Sequence, residues 1–305
     1  MEKAYIEIVR LLLEAMPAVF QTPDFAMKGG TAINLFVENM PRLSVDIDVV
    51  YTDYRVPREN ALQSISAALE TARNWLAKTG LDAEVSSTKG GDEMKMFLRR
   101  GRSQVKVEVN QVFRGTVLPV ERRSMGAEAR RVFTTELVVP TLAVPELYGS
   151  KLVASLDRQH PRDLFDLRAL FGRGGLTSEV VECFVCYLAG HNRPLHEVLF
   201  SRDQEIAHAF ENELSAMTRE PITLDELVSV RRQLRAELPL ALTANHRQFL
   251  LGLATGEPDW QLMRCAHLAE LPAIRWKLQN LARLKKTNPR KFAQQADALR
   301  ERFGA

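Results

Sequence analysis

Cysteine is almost missing from this sequence. Cys183, Cys186 and Cys265 are all it has, an odd number that cannot close fully into pairs within one chain, so no disulfide framework is expected. Cys183 and Cys186 fall three apart in the apolar segment Val-Val-Glu-Cys-Phe-Val-Cys-Tyr-Leu, the spacing of a core helix rather than of a metal knuckle, and no His or Cys cluster supports zinc. No apolar run approaches the roughly 18 residues required to cross a bilayer. The first ten residues carry acids where a secretory signal would carry basic residues and an unbroken apolar stretch. These absences predict a soluble cytoplasmic protein with no membrane partner. An excess of charge is missing too: 41 Lys and Arg against 38 Asp and Glu leave +3, so the chain as a whole is not a polycation. With 46% hydrophobic residues over 305 positions, it can bury the core of one large domain or of two ordinary ones.

What is present concentrates in Leu43 to Tyr51, Leu-Ser-Val-Asp-Ile-Asp-Val-Val-Tyr. The β-branched, apolar run predicts a strand largely buried on both faces. Within it Asp46 and Asp48 project from one face, while Val45, Ile47 and Val49 project from the other. Two acids aimed at one point repel unless a cation lies between them, and carboxylate oxygens suit Mg²⁺. Two solvated acids on an exposed strand are the plainer alternative. A buried carboxylate needs a metal, a partner or a proton, so the run favours a metal site.

Phe25 to Phe36 precedes this strand and reads as a short strand, a Gly-Gly turn and an amphipathic helix opened by Thr31. Gly29 and Gly30 let the backbone take positive φ and approach a ligand closely. The helix start behind them offers free N–H groups and a positive dipole end to an anion such as a triphosphate. A Gly-Gly pair alone is most often an ordinary turn. Ahead of a paired-aspartate strand it carries far more weight.

Lys28-Gly29-Gly30-Thr31 followed by Ser44-Val45-Asp46-Ile47-Asp48 resembles the first motif of the DNA polymerase β-type nucleotidyltransferases. More narrowly it is similar to the AbiEii/AbiGii (MenT-like) toxins of bacterial toxin–antitoxin and phage-defence systems, over about the first 170 residues. The resemblance implies an α+β fold: a polymerase β-like domain with a mixed sheet flanked by helices, then an all-helical C-terminal domain. It implies Mg²⁺ or Mn²⁺ on Asp46 and Asp48, with an NTP seated by Lys28, Gly29, Gly30, Thr31 and Ser44. Ser44 is matched to the toxins' motif serine, a phosphate contact or a modification site for an antitoxin. A strand-edge serine satisfying local backbone is the equal alternative.

Two later segments extend the match. Gln104 to Asn110 alternates polar and apolar residues, the pattern of any half-buried strand. The resemblance makes Glu108 there a third carboxylate, either a metal ligand or a base. Lys151 precedes Arg162-Asp163-Leu164-Phe165-Asp166-Leu167 on two successive predicted helices, the first from Val144 to Leu156 with Leu147, Leu152 and Leu156 inward, the second opening at Pro161. By resemblance Lys151 binds the nucleotide phosphates and Asp166 holds or orients the site. Asp163 shares a helix face with Asp166 and has Arg158 and Arg162 as candidate partners.

Before residue 172 strand and helix patterns alternate, with strands expected near 25–28, 45–51, 82–87, 94–99, 104–112 and 131–134. After Gly172-Arg173-Gly174-Gly175 the text is almost wholly helical, with Thr177, Thr223 and Asp259 as N-caps and Thr223 with Glu226 as a capping box. The expected domains are therefore 1–172, catalytic, and 173–305, a helical bundle for substrate or partner. Basic residues clump at 99–102, at 122–131 and at 283–291. A single clump is usually a solvated face. Three on a chain with a nucleotidyl-transfer motif suggest a phosphodiester acceptor, and the resemblance points to the 3′ end of tRNA, with growth arrest and an antitoxin partner. Two alternatives compete: transfer to a protein hydroxyl, and a regulator that binds nucleotide without turnover.

Overall fold

A computed structural model describes residues 2–87 and 93–304. Its chain falls into two compact units, Met1–Leu147 with Phe210–Ile222, and Tyr148–Ala209 with Thr223–Ala305.

The first unit is built on a seven-stranded sheet in the order β3-β4-β5-β2-β1-β7-β6. The strands are β1 (Phe25–Lys28), β2 (Asp46–Tyr51), β3 (Asp82–Ser87), β4 (Glu93–Arg100), β5 (Ser103–Asn110), β6 (Glu121–Ser124) and β7 (Val138–Thr141). The sheet is mixed: β2 runs parallel to β5 and antiparallel to β1, which runs parallel to β7. Helices α1 (Lys3–Val19) and α3 (Arg58–Lys78) pack on one another; α1 also meets β5, and α3 meets β3 and β4. Helix α1 offers Val9, Leu11, Leu12 and Met16, all fully buried, as its core face. Between β1 and β2 the short turn α2 (Gly29–Thr31) runs on as a wider π-helical segment, Ala32–Val37.

β2 is central because its sequence can be. Ile47, Val49, Val50 and Tyr51 are buried, each worth roughly 1.5–3 kcal/mol of transfer free energy. Asp46 and Asp48 alternate with them at intermediate exposure. Full burial on both faces, expected from the run, therefore holds only for its last three residues.

One expected strand is a helix. Residues 131–134 close α4 (Ala127–Phe133), where Glu128 in the first turn and Arg130 and Arg131 in the last complement the helix dipole. Ala, Glu and Arg outweigh the β preference of Val132 and Phe133, and the strands lie on either side, at β6 and β7. The other expected strands stand within two residues of their predicted bounds.

The second unit is helical. Helix α5 (Val144–Asp157) begins in the first unit and continues in the second, followed by α6 (Pro161–Gly172), α7 (Ser178–Ala189), α8 (Leu195–Leu199) and α9 (Ala207–Glu213). Then come α10 (Leu224–Ala241), α11 (Ala244–Ala254), α12 (Pro272–Thr287) and α13 (Pro289–Phe303). Thr177 caps α7, and Thr223 with Glu226 forms a complete capping box on α10. Asp259 caps only a short 3₁₀ turn. The compact units divide at residue 147 rather than 172, because α6 packs on α10 and belongs with the later helices. Cys183, Cys186 and Cys265 are free and buried, as core residues. No described helix is long and apolar enough to cross a membrane.

Candidate active site

Chain reversal at the end of β1 creates the first part of the site. Lys28 is still extended, Gly29 turns with φ +75°, and the helical turn starts at once. The helix therefore opens two residues earlier than Thr31, so the first free N–H groups belong to Gly29, Gly30 and Thr31. Both glycines are there for space. A Cβ on Gly29 would lie 2.2 Å from Asp48 Oδ2, and one on Gly30 would lie 2.7 Å from Arg42 Nη2 and 3.1 Å from Ser44 Oγ. The turn is thus packed directly against the acid strand and the segment leading into it.

Hydrogen bonds tie these pieces together. The Thr31 hydroxyl lies 2.9 Å from the Ser44 hydroxyl and bonds the Asp46 carbonyl. Asn34 donates to the Gly30 carbonyl at 2.9 Å. Arg42 is almost wholly buried and donates to the Leu43 carbonyl at 2.9 Å. Ser44 is buried as well, so its hydroxyl serves the Thr31 contact before it serves any ligand.

Across the sheet, register brings charge to the same face. Asp48 stands opposite Lys28 on β1 and Glu108 on β5, and Asp46 stands opposite Lys106. Lys106 Nζ lies 2.8 Å from Glu108 Oε2, and Lys95 Nζ 3.9 Å from it. Burial pushes the Glu108 carboxyl upward, but the Lys106 hydrogen bond and the charges of Lys106, Lys95 and Lys28 outweigh it and hold the group below the usual range. Lys106 shows the mirror image: burial lowers it, while Glu108, Asp46 and Asp48 raise it further. Glu108 is thus an ionised acid held by lysines.

That arrangement bears on metal binding. Glu108 stands opposite Asp48 but is engaged by Lys106 and Lys95, and among the described residues no ready cluster of three His, Cys, Asp or Glu side chains is formed. The aspartate pair alone remains a fitting donor set for Mg²⁺, which keeps its waters and takes one or two carboxylates together with substrate phosphates. Two half-exposed carboxylates on one strand face, beside a glycine turn without side chains, present that chemistry.

The second unit holds its own charged cluster. Lys151 on α5 reaches Asp163 Oδ1 at 2.9 Å and Asp166 Oδ2 at 3.0 Å, both on α6, and all three side chains are buried. Arg158 adds its guanidinium to Asp163 at 2.6 Å. Burial works to raise the Asp163 carboxyl, yet Lys151 and Arg158 hold it far below the usual carboxylate range. His160 caps α6 just ahead of it.

Lys106, Lys95 and Arg42 were not legible as site residues. Lys106 shares a face with Glu108 in the alternating segment, and the parallel pairing of β2 with β5 would have identified it. Arg42 gave no signal, since a surface arginine is the ordinary reading of Pro-Arg-Leu.

The sequence model of the family described as "Nucleotidyl transferase AbiEii toxin, Type IV TA system" matches residues 10–280. No curated protein matches this sequence. Among solved structures, MenT4, a nucleotidyltransferase toxin from Mycobacterium tuberculosis H37Rv, superposes with a TM-score of 0.63 at 22% identity, covering 91% of this chain and 94% of that one. At that identity the likeness speaks to the fold.

Proposed function

The chain belongs to the AbiEii nucleotidyltransferase toxin family, and from that premise we propose that it transfers the NMP unit of an NTP to a hydroxyl of RNA, the 3′ end of tRNA being the favoured acceptor. The acceptor oxygen attacks the α-phosphorus, the new P–O bond forms as the α–β anhydride breaks, and pyrophosphate leaves. The hydroxyl proton passes to solvent. Growth arrest, with a cognate antitoxin to restrain it, is the biological reading that goes with a toxin of a type IV toxin–antitoxin family.

Asp46 and Asp48, on one strand face, would hold Mg²⁺ or Mn²⁺, which when bound would supply Lewis acidity to the phosphate and the acceptor hydroxyl. The N–H groups of Gly29, Gly30 and Thr31 receive phosphate oxygens, and Lys28 adds a positive charge at the end of β1. Thr31 and Ser44 fix the turn against β2. Glu108 keeps the Lys106 ammonium beside Asp46 and Asp48, a positioning role, because a carboxylate with a depressed pKa is a weak base at neutral pH. Lys151, held by Asp163 and Asp166, is the lysine that the family resemblance assigns to the nucleotide phosphates. The single observation that carries this reading is the close packing of Asp48 on Gly29, with Asp46 on the same strand face.

Purified protein with Mg²⁺ and each labelled NTP is incubated with total RNA or with total protein. Label on RNA is expected. Label on polypeptide would move the acceptor to a protein hydroxyl, and label on neither would leave a regulator without turnover.

A further inference from the structure

Charge in this protein is sorted along the chain. Residues 272–291, covering α12 and the start of α13, hold seven Lys and Arg and no Asp or Glu; against +3 for the whole chain, the rest is net −4. Glu270 on one side and Asp297 on the other mark where acids resume. The two earlier basic clumps are largely answered by neighbours. Arg99 pairs with Glu84, Arg100 with Glu14, Arg123 with Glu121, Arg130 with Glu136 and Arg131 with Glu128. Arg283, Lys286, Arg290 and Lys291 are exposed and have no acidic partner among the described residues. A concentrated, uncompensated positive face draws polyanions.

An exposed aromatic side chain shares helix α12 with part of this charge. Helix α12 buries Ala273, Ile274, Lys277 and Leu281, which turns Trp276 outward with 55% of its surface exposed. A lone exposed apolar residue is ordinary. This one lies on the face carrying Gln279, Asn280 and Arg283, at helical spacings of three, four and seven, with Arg275 and Lys286 flanking. A flat ring among cations and amides is what single-stranded nucleic acid requires: a surface for base stacking, charges for phosphates and amides for base edges. A duplex, whose bases are stacked internally, cannot use the ring.

We infer that the α12–α13 face binds single-stranded RNA, with Trp276 stacking on a base and Arg283 and Lys286 contacting phosphates. This rests on the proposal that the acceptor is RNA and locates where the unpaired part of that RNA is held. The charge sorting favours a phosphodiester over a neutral partner, and the exposed ring favours a strand with free bases over a duplex.

Anisotropy of a labelled, unstructured 12-nucleotide RNA reads binding directly, with the full chain and without NTP. Trp276→Ala is expected to weaken affinity by about 5- to 150-fold, Trp276→Phe to retain most of it, and the same RNA as a duplex to bind more weakly than the single strand. Replacing both Arg283 and Lys286 with Gln is expected to flatten the slope of log K against log salt by about 1.4. Thermal melts of each variant should match the parent, since all three residues are exposed. Parent-like affinity in Trp276→Ala, duplex binding equal to single-strand binding, or binding to phosphatidylglycerol vesicles with none to RNA would each overturn the inference. Because no turnover is needed, loss of affinity in Trp276→Ala supports this surface even if the labelled NTP is never transferred, and the two readings fail separately.

Discussion

Gly29 and Asp48 stand so close that no side chain fits between them: a Cβ at residue 29 would lie 2.2 Å from the Asp48 carboxylate oxygen. Gly29 also holds φ +75°, a conformation that costs an L-residue roughly 1–2 kcal/mol. Gly29→Ala therefore strains the turn and swings Asp48 away from its place. Displacement of a positioned group by about 1 Å is able to cost around 10²-fold, so the transfer rate should fall by at least that factor while the melt stays cooperative. Near-parent turnover would show that the turn and the acid do not act together.

Asp46 and Asp48 are half-exposed acids on one strand face, with the Lys106 charge near both. Asp46→Asn and Asp48→Asn should each remove nucleotidyl transfer to background and change the melting temperature little, because half-exposed charge contacts contribute only about 0–1 kcal/mol. Loss of activity with an unchanged melt separates a functional acid from a structural one. An active Asp46→Asn enzyme would take that residue out of the chemistry.

Much of this site was legible because strand chemistry is local. The alternation of Asp46 and Asp48 with Ile47 and Val49 is a two-residue period, and a Gly-Gly turn before it needs no tertiary information. The same holds for Thr223 with Glu226, whose capping box is complete. What depends on register was out of reach. That Lys106 faces Asp46, and that Glu108 stands opposite Asp48 with Lys106 against its carboxylate, follows from the parallel pairing of β2 with β5. Residues 131–134 misled because Val132 and Phe133 favour strand, while the dipole pattern that wins spans the whole of α4.

Glu108 offers a sharper discrimination between base and positioning residue. Its carboxyl is held below the usual range despite burial, chiefly by the Lys106 hydrogen bond and by the neighbouring lysine charges, so it stays ionised across the neutral range and is a poor proton acceptor there. Glu108→Gln should lower the rate by less than about tenfold and keep the shape of the pH–rate profile above pH 6. Disappearance of an acid limb in the variant's profile would identify Glu108 as the base after all.

Lys151, Asp163 and Asp166 make the strongest stability prediction. All three are buried, and the ammonium is within 3.0 Å of both carboxylates. Removing one partner from a buried cluster leaves an uncompensated charge at a cost of about 3–5 kcal/mol, so Lys151→Met should lose about that much in urea unfolding at pH 7. Asp163 adds a pH dependence with a defined sign. Its folded pKa lies far below the ordinary value of 3.8, against the opposing pull of burial, because Lys151 and Arg158 favour the anion. A depressed carboxyl stabilises the fold above its unfolded pKa, and that contribution fades as pH falls through and below about 4. Unfolding free energy measured from pH 6 down to pH 3 should therefore drop in the parent and drop less steeply in Asp163→Asn, which starts from a lower value. Parallel curves for the two proteins would mean that Asp163 titrates alike folded and unfolded, and that Lys151 and Arg158 do not stabilise its anion.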